Sequence, residues 1–387
     1  MGLSVSVSVN SHMNVKVPLI DLILYFFKLG TIGFGGPIAL TSAMQSDLVD
    51  DRKWFSQDTF KEGMTLCQLA PGPLAAQLAI YFGWAHSGVY GATIIGFAFI
   101  IPSFIMVVGI AMFYIHFGNI PIIQRLFHGV GPAVLALICM GAQKLARKNL
   151  GRDYVLWGIA VLNAVITVWT ESEMVWIFLL CGFVATLTKL KSKRAFNSFL
   201  MTPPFLIEGL HGSAPPGTLE KLFFFFLKSG TFVFGSGLAI VPFLHGGVVV
   251  ENRWLTEPQF LDAVAVAMIT PGPVVITVAF IGFLVAGFAG AAVASLGTFL
   301  PCYLFTVIPA PYFSKITKNR YIREFVGGVT AAAIGAILGA AVIIGRGSLV
   351  DVPTTLIFAL TLLGVLFVKK VPEPIWILLA GGAGLFL

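Results

Sequence analysis

Charge is scarce in this chain. Asp, Glu, Lys and Arg together make up 11% of its 387 residues. A soluble chain of this length needs far more charge to cover its surface, so a water-soluble globular domain is excluded. Cysteine is scarce too. Cys67, Cys139, Cys181 and Cys302 have no metal or redox spacing and read as small packing residues. The six histidines are scattered without ligand spacing, so no metal site is expected. No glycine-rich nucleotide loop is present, which removes direct ATP drive and leaves no cofactor to expect. Enzyme chemistry therefore finds no support. The first fourteen residues lack a charged region followed by an apolar core, so no cleaved signal peptide is expected. The short alternating segments of a transmembrane barrel are also missing.

Apolar residues, by contrast, make up 57% of the chain, and stretches of 18 or more recur along it. That is the pattern of an all-α polytopic membrane protein in a lipid bilayer. The net charge of +7 sits in loops between apolar segments. There it fixes orientation and does not suggest nucleic acid.

The chain is also duplicated. Lys28-Leu29-Gly30-Thr31-Ile32-Gly33-Phe34-Gly35 returns as Lys228-Ser229-Gly230-Thr231-Phe232-Val233-Phe234-Gly235. Between Leu22–Pro37 and Leu222–Gly237, seven of sixteen positions are identical, where chance gives roughly one or two. Trp54 matches Trp254, Phe60 matches Phe260, and Pro71-Gly72-Pro73 matches Pro271-Gly272-Pro273. Residues 1–190 form the first membrane repeat and 218–387 the second. Between them, 191–217 is polar and proline-rich and reads as a cytoplasmic linker.

Each copy shows six apolar segments. In the first they lie near 18–45, 62–84, 88–116, 124–146, 153–169 and 173–190. In the second they lie near 218–250, 260–284, 286–310, 324–346, 350–367 and 373–387. The loop cations then settle orientation. Lys144, Arg147, Lys148 and Arg152 follow segment four, and Lys189, Lys191, Lys193 and Arg194 follow segment six, so both places are expected to be cytoplasmic. In the second copy the clusters fall after segments three (Lys315, Lys318, Arg320, Arg323) and five (Lys369, Lys370). Equivalent loops thus carry positive charge on opposite faces, which predicts inverted copies. Inversion needs an odd number of crossings per copy, so one of the first two segments must dip in and return. The expectation is about ten crossings with broken or re-entrant helices, and the N-terminus outside.

Glycine and proline breaks in paired apolar segments point to a transporter's substrate site. After Pro71-Gly72-Pro73 and Pro271-Gly272-Pro273 a half-helix can start, its free N–H groups and positive dipole end suited to an anion. A mere packing kink is the alternative. Gly30–Pro37, with Gly35 and Gly36, and its counterpart with Gly230, Gly235 and Ser236, allow either close approach to a ligand or a tight helix crossing. Lys28 and Lys228, beside Thr31 and Thr231, read as counter-charges or as snorkelling lysines. Gln68, Gln77, Thr270 and Thr277 flank the proline motifs as hydrogen-bond donors. Glu62 and Asp262 enter the second broken segment, where a carboxylate could carry a coupling proton or favour a helix dipole. Arg125 and Arg323 fit a cavity mouth or an interfacial anchor.

Phe27-Lys28-Leu29-Gly30 running into Phe34-Gly35-Gly36-Pro37, followed by Gln68-Leu69-Ala70-Pro71-Gly72-Pro73 and a degenerate second set, resembles the chromate ion transporter family in its long, two-copy form. The resemblance covers nearly the whole chain. It implies secondary transport exporting chromate across the cell membrane, driven by the proton or membrane potential, with sulfate as a related anion. The second copy departs from the pattern: Ser236 and Gly237 replace Gly36 and Pro37, and Met268 replaces Gln68. Both anions are tetrahedral dianions, and no residue here distinguishes them. A sulfate importer or exchanger, or a passive anion channel, is the alternative. Small-residue faces such as Gly327–Gly345 could pack internally or form a homodimer.

Overall fold

The computed structural model describes residues 17–34, 36–117, 120–170, 175–189, 217–233, 237–312, 319–368 and 371–386. Their regular elements are helices, with no β-strand among the described residues. The first copy contains α1 (Leu19–Ile32), α2 (Gly36–Gln45), α3 (Gln57–Leu69), α4 (Leu74–Phe117), α5 (Pro121–Asn149), α6 (Tyr154–Thr170) and α7 (Val175–Lys189). The second repeats the order with α8 (Thr218–Thr231), α9 (Val241–His245), α10 (Glu257–Ile269), α11 (Thr277–Val307), α12 (Arg320–Ser348), α13 (Val352–Phe367) and α14 (Glu373–Gly384). Matching caps start matching helices. Ser56 accepts the Thr59 N–H at the head of α3, and Thr256 forms a capping box with Gln259 at the head of α10. Four stretches are long and apolar enough to cross a bilayer: Leu74–Phe117, Pro121–Asn149, Val274–Tyr312 and Arg320–Ser348. The chain is an all-α polytopic membrane protein.

Both broken segments fold back on themselves. Tyr25 and Arg52 would be roughly 40 Å apart along a straight helix. Instead the Arg52 guanidinium lies 5.4 Å from the Tyr25 ring. The chain therefore doubles back after α1; α2 packs on α4, and the segment that follows α2 ends beside Tyr25. In the same way Gly63 packs against the Tyr81 ring, and the Phe60 and Phe82 rings are 6.5 Å apart. That contact makes α3 and the start of α4 a second hairpin, with Pro71-Gly72-Pro73 at its tip.

A third turn follows inside α4. Ser87 (φ −142°) and Gly88 (φ 61°) break the helix, and the backbones of Gly83 and Gly91 touch across the bend. Ala286 (φ −146°) and Gly287 (φ 59°) do the same in α11, with Gly282 against Gly290. Glycine is needed at 88 and 287 because the turn demands positive φ. Each helix thus has a short arm, 74–86 or 277–285, folded onto a long arm, 89–117 or 288–307.

The long arms of the two copies run antiparallel. Thr93, early in one, lies 2.7 Å from the Tyr303 hydroxyl, late in the other. Phe104 meets Phe288 with ring centroids 5.9 Å apart, late against early. The copies also exchange partners. α6 and α7 pack on α12, while α13 and α14 pack on α5. Gly335 fits against Ala160 and Gly328 against Cys181; reciprocally, Gly129 fits against Ala380 and Gly384. Lys144–Glu373 (3.4 Å) and His128–Asp351 (3.6 Å) pair across the same seam.

The fold-backs revise one expectation. His86 Nε2 lies 2.8 Å from Val17 O, so α1 starts at the end of the molecule that holds the Ser87-Gly88 turn. The long arm of α4 leads away, and α5 returns beside it, with Tyr114 on Phe127 at 5.5 Å. Val17 therefore shares an end with Lys144–Arg152 and does not face them from the opposite one. Charge counting required one segment to turn back, and two do. The linker expected over 191–217 lies, Gly217 aside, outside the described residues.

Candidate functional site

The hairpin tips of one copy are tied to those of the other. Gly72 donates its N–H to Val233 O, and Gly272 donates its N–H to Gly33 O at 2.9 Å. The proline-glycine tip of each copy thus caps the glycine turn of its partner copy. Both central glycines have positive φ, 146° at Gly72 and 104° at Gly272, a conformation closed to ordinary side chains. Their surroundings leave no room either. A Cβ on Gly72 would lie 2.6 Å from the Gln77 amide carbon, and one on Gly272 would strike the Ser103 hydroxyl. Ser103 in turn donates to Gly30 O at 3.2 Å. Gly30 and Gly230 are crossing points: each presses on α4 at Phe99 or on α11 at Thr298.

The sequence-chosen residues divide into three groups. Gly30, Gly72, Pro73, Gly230, Thr270, Pro271, Gly272, Pro273 and Thr277 are buried at or beside this junction. Gly36 joins them, because it lines one small cavity with Phe34, Thr270, Gly272 and Glu373. Gln77 is completely buried, with Nε2 donating to Pro71 O at 2.9 Å and Oε1 left without a partner.

A second group lies on its own helices. Thr31 and Thr231 return their hydroxyls to Phe27 O and Leu227 O, one turn back. Thr270 and Thr277 bond Val266 O and Val274 O. Lys28, Lys228, Gln68, Arg125 and Arg323 are exposed. Of these, Lys228 lines a groove of ≈ 20 Å³ with Ser229 and Glu251. Gly35, Gly235 and Ser236 fall outside the described residues.

The duplicated carboxylates form the third group, and each has a tyrosine partner. The Tyr81 hydroxyl lies 3.4 Å from Glu62 Oε2, within one copy. The Tyr114 hydroxyl donates to Asp262 Oδ2 at 2.7 Å, between copies. Ser103, Tyr81 and Tyr114 are the polar residues that sequence reasoning missed. One signal was available for Ser103: Pro102-Ser103 recurs as Pro301-Cys302.

The cavity at the tips measures ≈ 10 Å³. A space of that size holds about one water. The junction is closed in this conformation and has no room for a tetrahedral dianion.

Helical hairpins whose irregular tips meet between two antiparallel copies define a polytopic membrane transporter built from a duplicated unit. Residues 20–186 and 220–385 each match the family described as Chromate transporter, and the chain belongs to that family. It is 51% identical over 376 residues to a chromate transport protein of Cupriavidus metallidurans, covering 96% of this chain and 93% of that protein. It is 50% identical over 379 residues to a probable chromate transport protein of Synechococcus elongatus, covering 96% of each. The uncharacterized transporter YwrA of Bacillus subtilis is 29% identical over 148 residues, 37% of this chain and 83% of its own length. No solved structure matches. These relatives are transport proteins rather than enzymes.

Proposed function

We propose that the protein is a secondary active carrier that exports chromate across the cell membrane by alternating access, drawing on the proton gradient or the membrane potential. The observation that carries this reading is the reciprocal pair of main-chain bonds, Gly72 to Val233 and Gly272 to Gly33. They join the hairpin tips of two antiparallel copies, and the cavity beside Gly272 is too small for a tetrahedral dianion. Releasing the tips on one face while keeping them closed on the other is alternating access in structural terms. Each tie is worth about 1 kcal/mol net, small enough for an ordinary conformational cycle to break.

The anion preference rests on helix ends. The first-turn N–H groups of α4, which begins at Leu74, have no partner within their own helix, and they sit directly beyond Pro73. The second copy starts differently: a short 3₁₀ turn, Val274–Ile276, follows Pro273 and takes up the Thr277 N–H, so the free N–H groups there belong to that turn. Lys228 and Lys28 lie outside the junction on exposed helix faces. Their role in this reading is to draw chromate or sulfate toward the tips.

Flux into proteoliposomes under imposed proton and voltage gradients tests the proposal. Chromate movement that saturates and follows a gradient is the expected result. Sulfate flux without chromate flux overturns the substrate, and unsaturable currents at channel rates overturn the carrier. Crosslinking in native membrane addresses the homodimer separately.

A further inference from the structure

We propose that Asp262, held by Tyr114 of the other copy, is the residue that takes up and releases the proton coupled to transport, and that its protonation is read as a change in the contact between copies. This deepens the carrier reading and rests on it.

The geometry singles out Asp262 over its counterpart. Asp262 is 7% exposed and is followed in its helix by the apolar run Ala263–Ile269. A carboxylate in such surroundings is expensive to retain and is functional by default. Glu62, at the equivalent position, is only half-buried, and its tyrosine comes from its own copy at 3.4 Å. A proton on Glu62 would alter one hairpin. A proton on Asp262 alters the seam between copies.

The seam is rebuilt around this bond. Tyr81, which serves Glu62, has Phe280 as its equivalent, and Phe280 has no hydroxyl. Tyr114 reaches across from α4 to supply one, with its ring packed on Phe280 at 5.4 Å and on Phe127 at 5.5 Å. The second copy has phenylalanine where the first has tyrosine, and the first copy supplies the hydroxyl from Tyr114.

Other titratable groups on the elements packed around α10 lie apart from Asp262 in the contacts they make. His245 on α9 faces Glu257 at 3.9 Å, His128 on α5 faces Asp351, and Glu373 on α14 faces Lys144. Glu251 follows α9 in the groove beside Lys228. Tyr114 is the hydrogen-bond partner that Asp262 has in this closed conformation.

The switch is a change in this bond. The ionised carboxylate accepts the tyrosine O–H. A proton arriving from water neutralises the carboxyl, so the tyrosine O–H either donates to a neutral oxygen, in a bond about half as strong, or turns to accept the new carboxyl O–H. Either outcome loosens a contact between α4 and α10, whose C-terminal end leads into the Gly272 tie to Gly33.

The test compares parent, Asp262→Asn, Asp262→Glu and Tyr114→Phe in proteoliposomes, with chromate as the probe. Two measurements are made: accumulation under a pH gradient at clamped voltage, and chromate–chromate exchange without a gradient. Asp262→Asn is expected to lose at least ~10-fold in gradient-driven accumulation, ~1.4 kcal/mol of coupling. Its exchange should stay within about twofold of the parent. Asp262→Glu should keep coupling, and Tyr114→Phe should keep exchange with a displaced pH profile. Asp262→Asn that still accumulates chromate with the pH gradient overturns the proposal. So does a Tyr114→Phe profile identical to the parent's, or parental flux indifferent to pH. The last result leaves chromate carriage standing. Absent parental flux of either kind removes the carrier reading and this inference with it.

Discussion

Replacing Gly272 by alanine tests the tip-to-tip junction most directly. At φ 104° an alanine is strained by about 1–3 kcal/mol. Its Cβ would strike the Ser103 hydroxyl, which must swing away and give up its 3.2 Å bond to Gly30 O, about 1 kcal/mol. Any shift of the backbone to relieve these contacts weakens the N–H bond to Gly33 O, about 1 kcal/mol more. The sum is about 3–5 kcal/mol, a large part of the stability of a typical domain. Removing the Ser103 hydroxyl in a Ser103→Ala, Gly272→Ala pair should recover about 1 kcal/mol of this and no more, because the φ strain remains. Gly109, where an added methyl would meet nothing within 4 Å, is the control and should tolerate alanine. Thermal unfolding in detergent, followed with a thiol-reactive dye, reads the loss directly, since Cys67, Cys181 and Cys302 are buried. An unfolding temperature for Gly272→Ala equal to that of Gly109→Ala would refute the tied junction.

Two further outcomes follow from the placement of charge and the direction of the chain. Lys228→Ala should lower chromate flux at sub-saturating concentration more than Lys28→Ala, because Lys228 lines a groove with Ser229 and Glu251; equal effects of the two in a concentration series would count against it. Cysteines placed at Lys53 and Arg253, equivalent residues with φ 54° and 50°, should react with an impermeant thiol reagent from opposite faces of the membrane, while Lys53 and Lys148 should react from the same face.

The duplication, the helical class and the two proline-glycine tips were legible because each leaves a mark in local sequence. Repeated Lys28, Gly30 and Pro71 need no knowledge of the fold. The doubling back of the chain between Tyr25 and Arg52 was not legible. It depends on contacts such as Arg52 over Tyr25, and an apolar run looks alike whether it crosses or turns back. The turn at Ser87-Gly88 did leave a trace, since Gly83 and Gly91 recur as Gly282 and Gly290, small residues placed where two arms touch. Tyr114 was invisible for a different reason. Its partner Asp262 lies 148 positions away in the other copy, and no periodicity connects them. The lysines were left between an interior counter-charge and a snorkelling role, and helix phase turns both outward.

The divergence between copies is itself informative. Under the proposed cycle, two identical inverted copies would make the state open to one face equivalent to the state open to the other. The two states would then be equally populated without a gradient. The copies of this chain are not identical where it matters. Gln77 bonds Pro71 O in the first tip, while Thr277 bonds Val274 O in the second, where a short 3₁₀ turn precedes the helix. Glu62 is served from within its copy and Asp262 from across the seam. One unmatched hydrogen bond of about 1 kcal/mol shifts a two-state balance about fivefold. Under that cycle, two or three such differences of the same sign would leave the resting state facing one side. The shared scaffold would make the two states reachable by one motion, and the unequal side chains would decide which of them waits for substrate.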